Sequence, residues 1–538
     1  MKRNSKIIIL LSVIIISVTG CIKDSLNIDP TRSNEENFDP NYLLTTAQMD
    51  YGNATEFQLY EMGGMVQIIA STLDYYSGGD KYSISLTSYN DRFFTNGLQG
   101  AARLLEAQKL AEKKDAVNNV NLIQIARIMW VMTMQRVTDI YGDIPYAEAG
   151  MAKYGIQYPK YDKQEDIYKD MLTRLEDAIN KLDATKPGPA GDIIYNGNIT
   201  QWKKLGYSLM LRIAMRLVKV DAALAKTYAE KTAGKTFTDI NDNAILPLDG
   251  GSNEATQNRI SNALLNDLPQ VRWASTFINY LKENDDPRLY TLTEKADTGL
   301  ANNNQIGKGG LQYTKQANPP AGSVNEVPVG MPNGYTIGGV RDIATAPGYP
   351  GVTGTGANAS PLGNYARPRL AVFVTKRSLS KYLITYAQTE LLIAEAKLRG
   401  WNMGAETAAQ HYKNGLTASL QSMQQLDGML AISIPDITAY VATRPLDIST
   451  NEKALNMINT EYWASTLFDL PEVWANYRRS GYPALVPVNF PGNITGATIP
   501  RRLTYPLGEN ANNRDNYQSA LQRMGGSDLT TTRIWWDK

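Results

Sequence analysis

KQEDIYKDMLTRLEDAINKL, residues 163–182, puts Ile167, Met171, Leu172, Leu175, Ala178, Ile179 and Leu182 at helical spacing, with charged side chains on the opposite face. The pattern predicts an amphipathic helix that must bury its stripe against a neighbour. Candidate neighbours lie on both sides. Residues 121–134 are apolar almost all round, through Leu122, Ile125, Ala126, Ile128, Met129, Trp130 and Met132, which predicts a helix enclosed by others. Helical patterns recur at 199–220, 221–233, 385–398, 405–423 and 451–467. Helices joined by short connections predict a mainly α chain with a tetratricopeptide-like helical-pair scaffold, although no clean repeat consensus is visible.

From about 294 to 380 the character changes. Gly307-Lys308-Gly309-Gly310, Asn318-Pro319-Pro320 and the Gly-rich run 348–356 exclude a helix at that density of breakers. Leu311, Tyr313, Val327, Tyr335, Ile337 and Val340 supply apolar anchors, so the segment reads as an irregular, loop-rich capping insertion supported by the helices. The last stretch, 480–538, is rich in Pro, Gly and Asn, and Trp535-Trp536 are expected to pin it to the body.

The N-terminus reads as a lipoprotein signal. A basic head (Lys2, Arg3, Lys6) and a short apolar run from Ile7 to Val18 lead to Val18-Thr19-Gly20-Cys21, and Cys21 is the only cysteine in the chain. Residues 1–20 are expected to be removed and Cys21 to carry acyl chains, each buried methylene adding ~0.8 kcal/mol of membrane attachment. Ile22 in place of an acidic residue points, by similarity to known lipoprotein sorting, to the outer membrane. Residues 21–40, including Asp29-Pro30-Thr31, read as anchor and flexible leash, and 41–538 as a single body.

Composition excludes several functions. With 54 Lys and Arg against 53 Asp and Glu, no basic field exists to hold nucleic acid. A lipidated thiol serves neither in a disulfide nor as a nucleophile. The single histidine, His411, has no second His or free Cys as partner and reads as structural or solvated; Gly307-Lys308-Gly309-Gly310 lacks the spacing of a phosphate loop. Asp285-Asp286 and the pair Glu390 and Glu395 are the obvious acids, yet the first reads as a turn and the second as helix packing. No catalytic residue, metal site or cofactor is therefore expected. A count of 31 Tyr and 8 Trp against 9 Phe leans toward recognition of a polar ligand.

Several segments occur in an order that resembles the SusD/RagB family of surface nutrient-binding lipoproteins of Bacteroidetes, in particular its SusD-like subgroup. They are Tyr141-Gly142-Asp143-Ile144-Pro145-Tyr146, Trp202 followed by 209–216 (LMLRIAMR), Asp286-Pro287-Arg288-Leu289, Ala394-Glu395-Ala396, the run 472–483 from Glu472 to Pro483, and Arg501-Arg502-Leu503-Thr504-Tyr505-Pro506. A departure lies at Thr460-Glu461-Tyr462-Trp463, where the family commonly carries Gln before the aromatic. The resemblance implies a helical body under an irregular cap, facing the exterior. It also implies capture of an oligosaccharide or oligopeptide, the glycan being favoured, for presentation without chemistry to a TonB-dependent (SusC-like) barrel transporter. The motifs themselves read as scaffold: Gly142 supplies a positive φ at a helix end, and Arg478 and Arg479 beside Glu472 and Trp474 suit carboxylate pairing or stacking.

Sugar rings stack on Tyr or Trp while Asn, Asp, Gln or Arg serve their hydroxyls. The first candidate platform is 74–82 (DYYSGGDKY) followed by Tyr89-Asn90-Asp91-Arg92, giving Tyr75, Tyr76, Tyr82, Tyr89 and Asn90 as candidate contacts; Trp273, Tyr313 and Tyr335 are second choices. Two other readings stand beside capture: a structural lid with no ligand site, and a surface glycosidase, which requires an acid pair at catalytic spacing.

Overall fold

The computed structural model describes residues 35–83, 87–296, 310–356, 359–466 and 469–538; Cys21, the signal and most of the leash lie outside them. Asn41–Lys538 forms one compact unit. It begins with α1 (Asn41–Gly52) packed on the long α2 (Thr87–Asp115), which packs in turn on α3 (Val120–Tyr141). The apolar surround of α3 has the predicted consequence: nearly every side chain from Asn121 to Tyr141 is buried, and Gly142, at φ 91°, ends the helix in a backbone conformation that favours glycine.

The quoted stretch is α4 (Gln164–Lys181), whose predicted stripe is buried between α3 and α5 (Ile199–Arg216). Next come α6 (Ala222–Lys231), α7 (Arg259–Asp267) and α8 (Ser275–Glu283), then the insertion, then α9 (Tyr386–Leu398) and α10 (Ala408–Gln421). The series closes with α11 (Ile434–Ala442), α12 (Asn451–Ser465), α13 (Leu470–Ser480) and α14 (Arg514–Arg523). Packing runs from α4 to α5, α5 to α9, α9 to α10 and α12, and α12 to α13, which is the tetratricopeptide-like stack of helical pairs.

The insertion is more ordered than its composition suggests. Strands 293–295 and 367–368 pair antiparallel, with Thr293 opposite Pro368 and Glu294 opposite Arg367, so its two ends lie side by side. Strands 311–313 and 323–324 extend the same sheet. A small separate core of Met331, Tyr335, Ile343, Ala346, Leu362 and Tyr365 packs with Ala70 and Ala274. The tail is pinned mainly by Trp536, which is buried and donates from Nε1 to Asp139 at 3.0 Å, while Trp535 packs half-buried near Tyr168.

Charge is buried through the stack. Arg216 of α5 reaches Asp139 of α3 at 3.4 Å and Glu472 of α13 at 2.6 Å, and Arg212 one turn earlier donates to Gln135. Arg479 donates through two nitrogens to the two oxygens of Glu395 at 2.7 and 2.8 Å, each side chain 1 % exposed. The sequence offered Arg478 and Arg479 either carboxylate pairing, with Glu472 nearby, or stacking on an aromatic, and each mode occurs once: Arg479 pairs, though with Glu395, and Arg478 stacks. In the structure Glu472 serves Arg216, and Arg478 lies 3.8 Å over the Trp474 ring.

Burial alone would raise the Glu395 carboxyl, but the Arg479 and then Arg399 guanidinium groups override it and hold it down at about 2. Because the folded value is depressed, the stabilisation is present above the ordinary carboxylate range and lost as pH falls through it toward 2. Unfolding midpoints in urea are therefore expected to drop between about pH 4.5 and 2. Glu395→Ala at pH 7 should cost about 3–5 kcal/mol, because it leaves Arg479 buried without its anion. A wild-type midpoint at pH 7 for that variant would show that the pair is dispensable.

Candidate functional site

Two short segments build an aromatic surface. Phe57–Tyr60 forms a helical turn, and Asp74–Tyr76 a 3-10 turn running directly into the turn Ser77–Asp80. Their backbones meet: a Cβ on Gly79 would come within 1.8 Å of the Glu61 carbonyl oxygen, and one on Gly64 within 2.6 Å of the Asp80 nitrogen. Only glycine permits that approach. It brings Tyr60 to 5.3 Å from Tyr75 and 4.6 Å from Tyr76, centroid to centroid. Tyr89, from the first turn of α2, joins at 5.4 Å from Tyr60 and 4.3 Å from Phe57.

Phe57, Tyr60, Tyr75 and Tyr89 are half-buried, whereas Tyr76 is fully enclosed beneath them. The hydroxyls are tied down from below. Tyr76 donates to Asp267, at the end of α7, at 2.9 Å, and Tyr75 donates to the other carboxylate oxygen. Burial pushes the Asp267 carboxyl up, and the hydroxyls of Tyr75, Tyr76 and Tyr60 pull it partly back. Burial, and then the Asp267 charge, also raise the Tyr60 phenol, keeping it a neutral donor. The result is a cluster of packed rings in which the hydroxyls of Tyr75 and Tyr76 are anchored on Asp267.

The remaining candidates have other surroundings. Tyr82, at φ 54°, is 1 % exposed, and its carbonyl accepts from Ile494 at 2.8 Å. Asn90 lies inside α2, not in a loop, and donates to Thr504 at 2.8 Å. Trp273 is buried against Phe277 and Phe373 with Nε1 donating to the Leu292 carbonyl. Tyr335 belongs to the insertion core under the Arg341 guanidinium. Tyr313 is buried in the wall of a groove of about 950 Å³ between the insertion, the segment 283–291 and α11. That groove is lined by polar side chains including Asn284, Gln312 and Asp436; its half-buried ring, Tyr290, is covered by the Lys315 ammonium at 5.4 Å.

Of the sequence candidates the structure gathers Tyr75, Tyr76 and Tyr89, and it adds Phe57, Tyr60 and Asp267. Phe57 and Tyr60 stand three apart just before a Gly-Gly pair, a signal that was available. Asp267 follows Tyr75 by 192 residues, and no local pattern marks it. The surface is also joined to the insertion: buried Asp80 accepts from the Asn333 amide at 2.7 Å and the Gly334 N–H at 3.0 Å.

The scaffold of helical pairs thus carries a closed insertion, with the aromatic surface tied to it through Asp80. Residues 32–506 match the model of the SusD-like family described as starch-binding and associating with the outer membrane, and the chain belongs to that family. A solved chitin-binding protein is 30 % identical with a TM-score of 0.75, over 93 % of this chain and all of that one. A SusD-like protein of Bacteroidetes AC2a is 26 % identical with a TM-score of 0.77 at the same coverage. A chitin-binding SusD homolog from Flavobacterium johnsoniae, 23 % identical over 93 % of this chain and 98 % of its own, shares the fold with a TM-score of 0.70. No curated sequence matches the chain. Among the described residues no helix is long and apolar enough to cross a membrane.

Gly79→Ala tests how the surface is built. The added methyl meets a backbone carbonyl that cannot rotate away, so the variant should lose about 1–3 kcal/mol in urea unfolding. An unchanged midpoint would show that the two segments have room to part.

Proposed function

We propose that this chain is an outer-membrane lipoprotein, anchored through Cys21 and facing the exterior, that captures a glycan and delivers it unchanged to a TonB-dependent barrel transporter. Residues 1–20 serve as its signal and 21–40 as its leash; the compact unit that begins at Asn41 supports that division. The observation that carries the reading is the cluster of half-buried rings Phe57, Tyr60, Tyr75 and Tyr89, packed on one another and anchored through Tyr75 on Asp267. Sugar C–H faces stack on such rings, and the rigid anchoring lowers the entropy cost of binding. The 30 % identical chitin-binding protein makes chito-oligosaccharides the first ligands to try, with starch fragments second. The 950 Å³ groove is the weaker site for stacking, because Lys315 occupies the face of its tyrosine.

Each ring contributes ~0.5–1.5 kcal/mol of stacking beyond area, so Tyr75→Ala and Tyr89→Ala should each weaken oligosaccharide binding about two- to tenfold in calorimetry. Tyr75→Phe keeps the face and loses only the hydroxyl held by Asp267, and should stay within about twofold of wild type. Tyr76 and Tyr82 are core side chains, and their truncation reads out stability instead. Unaltered binding by the double alanine variant would exclude this surface. Uptake that depends on the protein, with no glycan bound by the wild type, would favour a structural lid, and product release from the glycan would establish a glycosidase.

The anchor has its own test. Cys21→Ala should move the protein from the membrane to the soluble fraction and abolish incorporation of labelled palmitate. A labelled, membrane-bound variant would overturn the assignment.

A further inference from the structure

The only histidine of the chain sits where helices α9 and α10 meet. His411, in the first turn of α10, is buried, and its Nδ1 lies 2.9 Å from Oε2 of Glu390 on α9 and 3.8 Å from Oε2 of Glu406, just before α10. The amide of Asn414, one turn further along α10, is 2.8 Å from the same Glu390 oxygen and 3.3 Å from the Glu406 oxygen. Four side chains thus converge on one point. Among the described residues no Lys or Arg pairs with either glutamate, so a single imidazole is the one potential cation beside two carboxylates, one of them buried. The buried carboxylates Glu395, Glu472, Asp286 and Glu461 of the stack, by contrast, each have an arginine.

We propose that Glu390, Glu406, His411 and Asn414 form a site for one divalent transition-metal cation of the zinc type, clamping the α9–α10 hairpin. The donor spacing fits. Bonds of about 2.1 Å in a tetrahedron place neighbouring donor atoms about 3.4 Å apart, and the four separations above fall on either side of that value. Imidazole with carboxylates is also the ligand set that suits zinc and its neighbours over calcium or magnesium. Asn414 offers its oxygen by turning its amide over, which its other partner, the amide of Gln410, accommodates by turning likewise. Without a cation, His411 Nδ1 donates to Glu390, while Nε2 has no hydrogen-bond partner, so no acceptor or donor on Nε2 bars the proton from moving there. When the cation takes Nδ1, the proton resides on Nε2. A dication then neutralises the two carboxylates that the fold leaves with one imidazole.

The site is independent of the glycan surface, and so is its test. The full chain, stripped with a chelator and titrated with zinc chloride in a calorimeter, should take up one equivalent and gain several degrees in thermal midpoint. Cobalt(II) in its place should give the strong visible absorption of a tetrahedral ion. Glu406 is exposed, so Glu406→Gln should fold normally while binding zinc at least tenfold more weakly. The absence of saturable uptake by the wild type, or equal affinity in Glu406→Gln, would overturn the proposal.

Discussion

Arg216 is the point on which the helical body turns. Its guanidinium, fully enclosed, contacts Asp139 on one helix and Glu472 on another, and lies 5.7 Å from the Trp536 ring at the end of the chain. Taking such a charge out of water costs several kcal/mol, and only the complete set of partners offsets that cost. Those partners come from residues 139, 472 and 536, so no partial assembly of the stack satisfies the arginine. Burial and then the Glu472 and Asp139 charges act on it, the last two holding its proton more tightly than usual. Arg479 with Glu395 repeats the logic one layer on, joining α13 to α9. Hydrophobic stripes bring the helices together, and the buried ions decide which helices they are.

That rigidity reaches the candidate surface by way of two aspartates. Asp267 holds two tyrosine hydroxyls from below, and Asp80 ties the same segment to residues 333 and 334 of the insertion. The strand pair 69–71 with 271–273 lies between them, setting Ala70 opposite the buried Arg272. Rings on loops are usually mobile, whereas these are fixed through polar contacts to helix ends and strands. A flat ligand then meets faces that are already in place.

Much of the scaffold was legible because it follows a single period. The stripes of 163–182 and 405–423, and the enclosed run at 121–134, became α4, α10 and the middle of α3. The long α2 escaped notice: its small residues Gly97, Gly100, Ala101 and Ala107 blur the apolar stripe, and Tyr89 and Asn90 at its start read as loop. The aromatic surface was half legible. Tyr75, Tyr76 and Tyr89 stood out by composition, while the burial of Tyr82, Trp273 and Tyr313 depends on contacts from distant segments that no local window contains. Asp267 and the partners of His411 were hidden for the same reason. Pairing across 192 residues, or between a helix and the turn before the next, leaves no periodic trace.

The paired strands that open and close the insertion make it a cassette. With Thr293 opposite Pro368, the chain leaves the scaffold and returns at nearly the same place, so the path of the helices is indifferent to what lies between. Doubling the length of such a loop costs only about 0.6 kcal/mol in closure entropy. Away from Asn333, Gly334 and Leu362, which bond Asp80 and the buried Arg272, sequence in the cassette can therefore be lengthened, shortened or exchanged while the arginine–carboxylate pairs of the helices stay as they are. One scaffold can in this way carry many different caps, and divergence among related chains is expected to concentrate between those two strands.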